Sequence, residues 1–152
     1  MRCLVTGATG YIGGRLVPEL LAAGADVVVL ARHPERLRDR PWADQVTVVG
    51  GDAANPADLA AAMTGVDVAY YLLHSLGAGP DFEDVEVRMA GAFAQAAADA
   101  GVQRIVYLGG LSHAADLSPH MRSRAEVARI LLDAPVPAIV LKAAARSVAS
   151  AA

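Results

Sequence analysis

The chain has 152 residues, of which 55% are hydrophobic and 19% charged, and it carries a formal net charge of -3. That length suits one domain with ample core, and its singly scattered arginines leave no basic patch for nucleic acid or an anionic membrane surface. A lone cysteine, Cys3, excludes both an internal disulfide and a cysteine metal cluster, so no metal is expected and a reducing, cytoplasmic setting is.

Residues 3–6 open the first strand almost at once, which leaves no room for a secretory signal ahead of it. No apolar run approaches the roughly 20 residues that span a bilayer. Further strands are expected at 27–31, 46–49, 68–73, 104–108 and 138–141, most of them continuously apolar, as strands covered on both faces are. The alanine- and leucine-rich stretches between them have helical spacing, the alternation of a parallel sheet. Asn55-Pro56 and Ser118-Pro119 read as helix starts, with a capping side chain before a proline. Gly24 and Gly101 stand where helices should stop. Pro18, inside the first helix, conflicts with the pattern because it removes a hydrogen bond. Val85, Met89 and Phe93, at four-residue spacing, read as the buried stripe of the fourth helix and not as a cofactor box.

Between the first strand and the first helix stands Thr6-Gly7-Ala8-Thr9-Gly10-Tyr11-Ile12-Gly13. In this position Gly7 permits a tight turn, Gly10 lets backbone approach a pyrophosphate, and Gly13 allows close helix packing, while the helix N-terminus supplies N–H groups to the anion. Thr9, Tyr11 and Ile12 belong to the same cofactor loop. The fold expected is therefore a Rossmann-type, doubly wound α/β sheet of about six parallel strands. The domain is placed at residues 1–145, with a short tail at 146–152 and no C-terminal substrate subdomain.

The end of the second strand bears on which dinucleotide is bound. Asp26 lies at the wrong end of that strand to meet a ribose 2′-hydroxyl, whereas Arg32 and Arg36 follow its other end and suit a 2′-phosphate. NADP(H) is the preferred cofactor. The arginines as plain surface charges remain the alternative, and Glu35 keeps NAD(H) open. Leu73 and His74 end the fourth strand beside the expected cleft; a hydrogen-bonded structural histidine is the plainer reading of His74.

The glycine spacing Gly-x-x-Gly-x-x-Gly and Gly51-Asp52 after the third strand resemble the short-chain dehydrogenase/reductase superfamily, especially its extended and atypical members. Residues 31–37 (ARHPERL), 70–75 (YYLLHS) and 123–127 (SRAEV) are similar to NmrA-like proteins and the NAD(P)-binding subunit of respiratory complex I. The resemblance covers nearly the whole chain. It implies that Asp52 meets the adenine; a turn-capping aspartate is the alternative. It also implies that the alanine-rich helix 90–100 could pair between subunits of a homodimer, although packing on the sheet explains that helix equally well.

The Tyr-x-x-x-Lys pair of typical members is absent, because the one lysine is Lys142 and no tyrosine has a lysine four residues on. At the corresponding place stand His120 and Arg124, one helical turn apart. They are the catalytic candidates, His120 as proton donor and Arg124 tuning it and orienting a substrate anion, with Ser112 near the family's serine position. A solvated helix face is the alternative. The function expected is an NAD(P)H-binding oxidoreductase-like protein acting on a small organic substrate. Its rivals are a non-catalytic redox sensor or structural subunit, and an inactive fragment.

Overall fold

A computed structural model describes residues 1–74, 82–110 and 118–143. Six strands form one sheet in the order β3-β2-β1-β4-β5-β6. They are β1 (Arg2–Thr6), β2 (Asp26–Ala31), β3 (Thr47–Gly50), β4 (Val68–Tyr71), β5 (Arg104–Gly110) and β6 (Ala138–Ala143), and every neighbouring pair is parallel. The order reverses between β1 and β4, which puts a crevice at their carboxyl ends.

The helices are α1 (Tyr11–Ala22), α2 (Pro56–Ala62), α3 (Phe82–Asp99) and α4 (Pro119–Leu132). Two 3-10 turns, Pro34–Leu37 and Ala43–Gln45, stand between β2 and β3 in place of a helix. The helix counted fourth from the sequence is therefore α3. Asn55 caps α2 through Ala57 N–H at 2.9 Å, and Ser118 caps α4 through Met121 N–H at 3.4 Å. Gly24 and Gly101 take φ of +79° and +72° at helix ends, as their positions predict.

Alternation along the strands sorts the core into two faces. Leu4, Val28, Leu30, Ile105 and Tyr107 pack under α2, α3 and α4. Cys3, Val5, Val27 and Val29 pack under α1, with Leu37 and Trp42 from the β2–β3 connection. Among the described residues, that second face is less covered at its far side. Val106 and Leu108 are only half-buried, and their β6 partners Ile139 and Leu141 are 41% and 53% exposed.

The conflict at Pro18 has a local solution. Proline has no N–H for the carbonyl four residues back, and that carbonyl, on Gly14, accepts instead from the indole Nε1 of Trp42 at 3.3 Å. The helix continues through Ala22.

Candidate dinucleotide site

The glycine loop occupies the crevice between β1 and β4. Thr6, fully buried, donates through Oγ1 to the Tyr70 carbonyl at 2.9 Å and accepts from Leu72 N–H at 3.2 Å. This pins β1 to β4 just beyond the last residues they pair, Val5 and Tyr70. Gly7 then turns with φ of +74°, and a Cβ on it would stand 2.7 Å from the Leu72 carbonyl oxygen. A Cβ on Gly13 would strike the Gly7 carbonyl and come within 2.7 Å of Ala8 Cα. Backbone therefore fills the space that side chains would need, and the loop cannot carry any other residue at these two positions without shifting.

Unlike α2 and α4, α1 has no side-chain cap at its start, Gly10, and, like α4, it has no acidic residue in its first turn. The N–H groups of that turn have no intrahelical acceptor and the positive end of the helix dipole is unopposed, an arrangement suited to an anion. Tyr11 and Ile12 are 73% and 46% exposed. Their side chains face outward, and Tyr11 stacks on the Arg15 guanidinium at 4.8 Å.

A cleft of about 620 Å³ runs from this loop along the strand ends, lined by Gly7 and Thr9 at one wall and by Arg32, His33 and Arg36 beyond β2. Asp52 through Ala54 form the floor after β3, and Leu73, His74, Val85 and Met89 close the other side. Among the described residues neither Arg32 nor Arg36 is paired with a carboxylate; Glu35 Oε1 lies 3.2 Å from His33 Nδ1, and both side chains are exposed. Asp26 stands at the far end of β2, bonded to Arg2 at 3.1 Å. Asp52 both lines the cleft and caps its own turn, accepting from Ala54 N–H at 2.9 Å. Its N–H donates to Asp58 at 2.8 Å, and the Asp58 side chain leaves no room for a Cβ on Gly51.

At the other end of the cleft, His74 stands edge-on to Tyr107 with centroids 6.4 Å apart. Desolvation first, and the Arg124 guanidinium second, hold the His74 imidazole below the usual histidine range, against an opposing pull from Glu86. Tyr107 Oη donates to the Arg124 carbonyl at 3.4 Å, and burial pushes its pKa up to about 12. Burial raises Tyr71 further still. Neither phenol can ionise near neutral pH. Glu86 of α3 accepts from the Ser123 hydroxyl of α4, both groups being buried.

The Arg124 charge is thus within electrostatic reach of His74, whereas His120 is exposed at the start of α4 with its ring against Phe82 at 4.8 Å. Ser112 lies outside the described residues. Reading Val85, Met89 and Phe93 as one buried stripe is corrected in part: Phe93 is fully buried, but Val85 and Met89 line the cleft. They sit in the first turns of α3, which overhang the strand ends, and a periodicity of four does not tell the overhanging part of a helix from the part over the sheet. His33 and Ala54 also line the cleft without having been singled out.

A crevice at the reversal of a parallel sheet, a glycine loop with no room for side chains at Gly7 and Gly13, and an uncapped helix N-terminus together define a dinucleotide-binding domain. The chain belongs to the NAD(P)H-binding family, whose model matches residues 7–134. It is 34% identical over 116 residues to 3-beta-hydroxysteroid dehydrogenase of Mycolicibacterium neoaurum, a match covering 70% of this chain and 31% of that protein. It is also 34% identical over 109 residues to cinnamoyl-CoA reductase 1 of rice, covering 68% and 32%. Among solved structures, Citrobacter triphenylmethane reductase complexed with NADP(H) superimposes with a TM-score of 0.77 at 27% identity, covering 93% of this chain and 49% of that one. Bordetella bronchiseptica WbmG in complex with NAD shares the fold, with a TM-score of 0.76 at 20% identity, covering 93% and 52%. The chain spans about a third of those curated relatives and about half of those solved chains. A nucleoside-diphosphate-sugar epimerase of Staphylococcus aureus and a short-chain dehydrogenase/reductase superfamily protein of Agrobacterium tumefaciens, each 20% identical, also share the fold.

Proposed function

We propose that this domain binds NADP(H) in preference to NAD(H) and serves an oxidoreductase of the atypical short-chain type acting on a small organic substrate. The observation that carries the reading is the charge at the mouth of the cleft: two arginines without carboxylate partners among the described residues line it, and Glu35 does not. A guanidinium pair suits a 2′-phosphate, where a carboxylate would suit a free 2′-hydroxyl. The pyrophosphate would lie on the glycine loop and the first turn of α1, and the adenine between Asp52 and the Val85–Met89 side of α3. Leu73 and His74 would then face the nicotinamide half. Bound there, the cofactor supplies or accepts a hydride.

The protein's own task is to orient the substrate and handle one proton. Tyr107 and Tyr71 are too basic and too buried for it, so the role falls to histidine. His120 is the open candidate on α4; Arg124, one turn on and within electrostatic reach of His74, would orient a substrate oxygen. A second reading, a cofactor-binding module without turnover, is favoured by the Tyr107 hydroxyl being committed to a backbone carbonyl.

Parallel fluorescence titrations with NADPH and NADH, repeated on Arg32→Ala, test the first claim. NADPH preference that disappears in the variant is the expected result, and equal affinities in the wild type would sink it. Steady consumption of NADPH with a carbonyl substrate, lost in His120→Ala while binding persists, separates the enzyme from the module.

A further inference from the structure

The connection between β2 and β3 faces the cleft with some side chains and reaches the glycine loop and α1 with others. Toward the cleft it presents Arg32, His33 and Arg36. On the outside, Arg40 Nη2 donates to the Thr9 carbonyl at 3.1 Å, and Trp42 Nε1 donates to the Gly14 carbonyl at 3.3 Å. Arg40 does not line the cleft. Its guanidinium lies over the first turns of α1, where a Cβ on Gly14 would meet Nη1 at 3.2 Å. Trp42, 5% exposed, is sunk into the core two residues further on and seats the strap against α1.

We infer that Arg40, seated by Trp42, is a positioning residue of the dinucleotide site: it clamps the Thr9 peptide from outside so that the loop and the α1 N-terminus are ready-shaped for a pyrophosphate. The inference rests on the dinucleotide reading given above. Of its eight positions from Thr6 to Gly13, three are glycine; Gly7 and Gly13 are packed against backbone and Tyr11 onward is helical, which leaves Thr9 and Gly10 as the part with most conformational freedom. Binding an anion on its N–H groups requires that freedom to be lost. A charge-assisted hydrogen bond made before the ligand arrives removes part of it in advance, and so improves affinity without touching the ligand. The effect should be confined to ligands that carry a pyrophosphate. The adenosine end of the cleft is bounded by Arg32, Asp52, Val85 and Met89, none of which Arg40 holds.

The test compares the wild type with Arg40→Met and Arg40→Lys. NADPH is titrated against adenosine 2′-monophosphate, or NADH against adenosine if the wild type prefers NADH, with fluorescence of the single tryptophan as one signal. In Arg40→Met the dinucleotide dissociation constant should rise about tenfold, the scale of one charge-assisted hydrogen bond. The fragment lacking a pyrophosphate should bind as before, and Arg40→Lys, which keeps a charged donor, should recover most of the loss. Unchanged dinucleotide affinity in Arg40→Met overturns the clamp, and so does equal weakening of both ligands. If Arg40→Met does not fold, Arg40→Gln takes its place under the same criteria. A wild type that binds neither ligand overturns the dinucleotide reading itself, and the clamp with it.

Discussion

Thr6 shows how much of the site hangs on one buried hydroxyl. It bridges the Tyr70 carbonyl and the Leu72 amide, so Thr6→Val leaves both unsatisfied at the base of the glycine loop. We expect a loss of about 1–3 kcal/mol, read as a lower urea midpoint, with Thr6→Ser losing clearly less. His74 carries a prediction of different kind. Its folded pKa lies below that of the unfolded chain, so above about pH 6.5 both states are neutral and it adds no pH dependence. As the pH falls below that value, the unfolded chain takes up a proton that the cleft resists, and stability drops. Urea unfolding of wild type and His74→Asn from pH 8 to pH 5 should show the wild type losing more on acidification; parallel curves would contradict the assignment. Gly7, by contrast, was readable in advance: its place after a strand implies the turn, and its φ of +74° supplies it. The sequence held no comparable sign of Arg40, because a surface arginine carries no periodicity and its partner is a backbone carbonyl 31 residues away.

At the scale of elements, the strands were legible because each is a short apolar run, although β4 stops at Tyr71 and Leu73 and His74 lie beyond it, and α2 and α4 were legible because Asn-Pro and Ser-Pro mark their starts. What stayed hidden depended on contacts between elements. Pro18 looked like damage to α1, and only the fold brings Trp42 to the orphaned Gly14 carbonyl. The pairing predicts a coupling. Trp42→Phe should cost about 1 kcal/mol beyond its packing change in the wild type, and less in a Pro18→Ala background, where residue 18 regains an N–H for that carbonyl. Circular dichroism of the four proteins in urea gives the cycle, and a coupling of zero would mean that the indole bond contributes nothing. The helix α3 was half legible for the same reason, since Phe93 obeys the core pattern while Val85 and Met89 leave it at the strand ends.

For the whole molecule, ligand and stability are linked. A dinucleotide that binds only the folded chain should stabilise it by about 2.7 kcal/mol at a hundred times its dissociation constant, visible as a raised thermal midpoint. Over β5 and β6, exposed Ile139 and Leu141 stand beside half-buried Val106 and Leu108 as an apolar patch among the described residues. Replacing Ile139 and Leu141 by threonine should lower dye binding by hydrophobic probes and leave cofactor affinity unchanged.

The strand order has a consequence for how the chain acquires its structure. β1 is made first, yet one of its neighbours, β4, lies more than sixty residues further along, and the pairing of Val5 with Tyr70 cannot form until that stretch exists. Contacts of such separation form slowly, so during synthesis the first strand waits with one edge open. Once paired on both sides, Cys3, Leu4 and Val5 are fully buried, while among the described residues β3 and β6 each have a strand on one side only. Amide hydrogen exchange should therefore rank the strands from the centre outward, with β1 surviving longest and exchanging only when the whole domain opens.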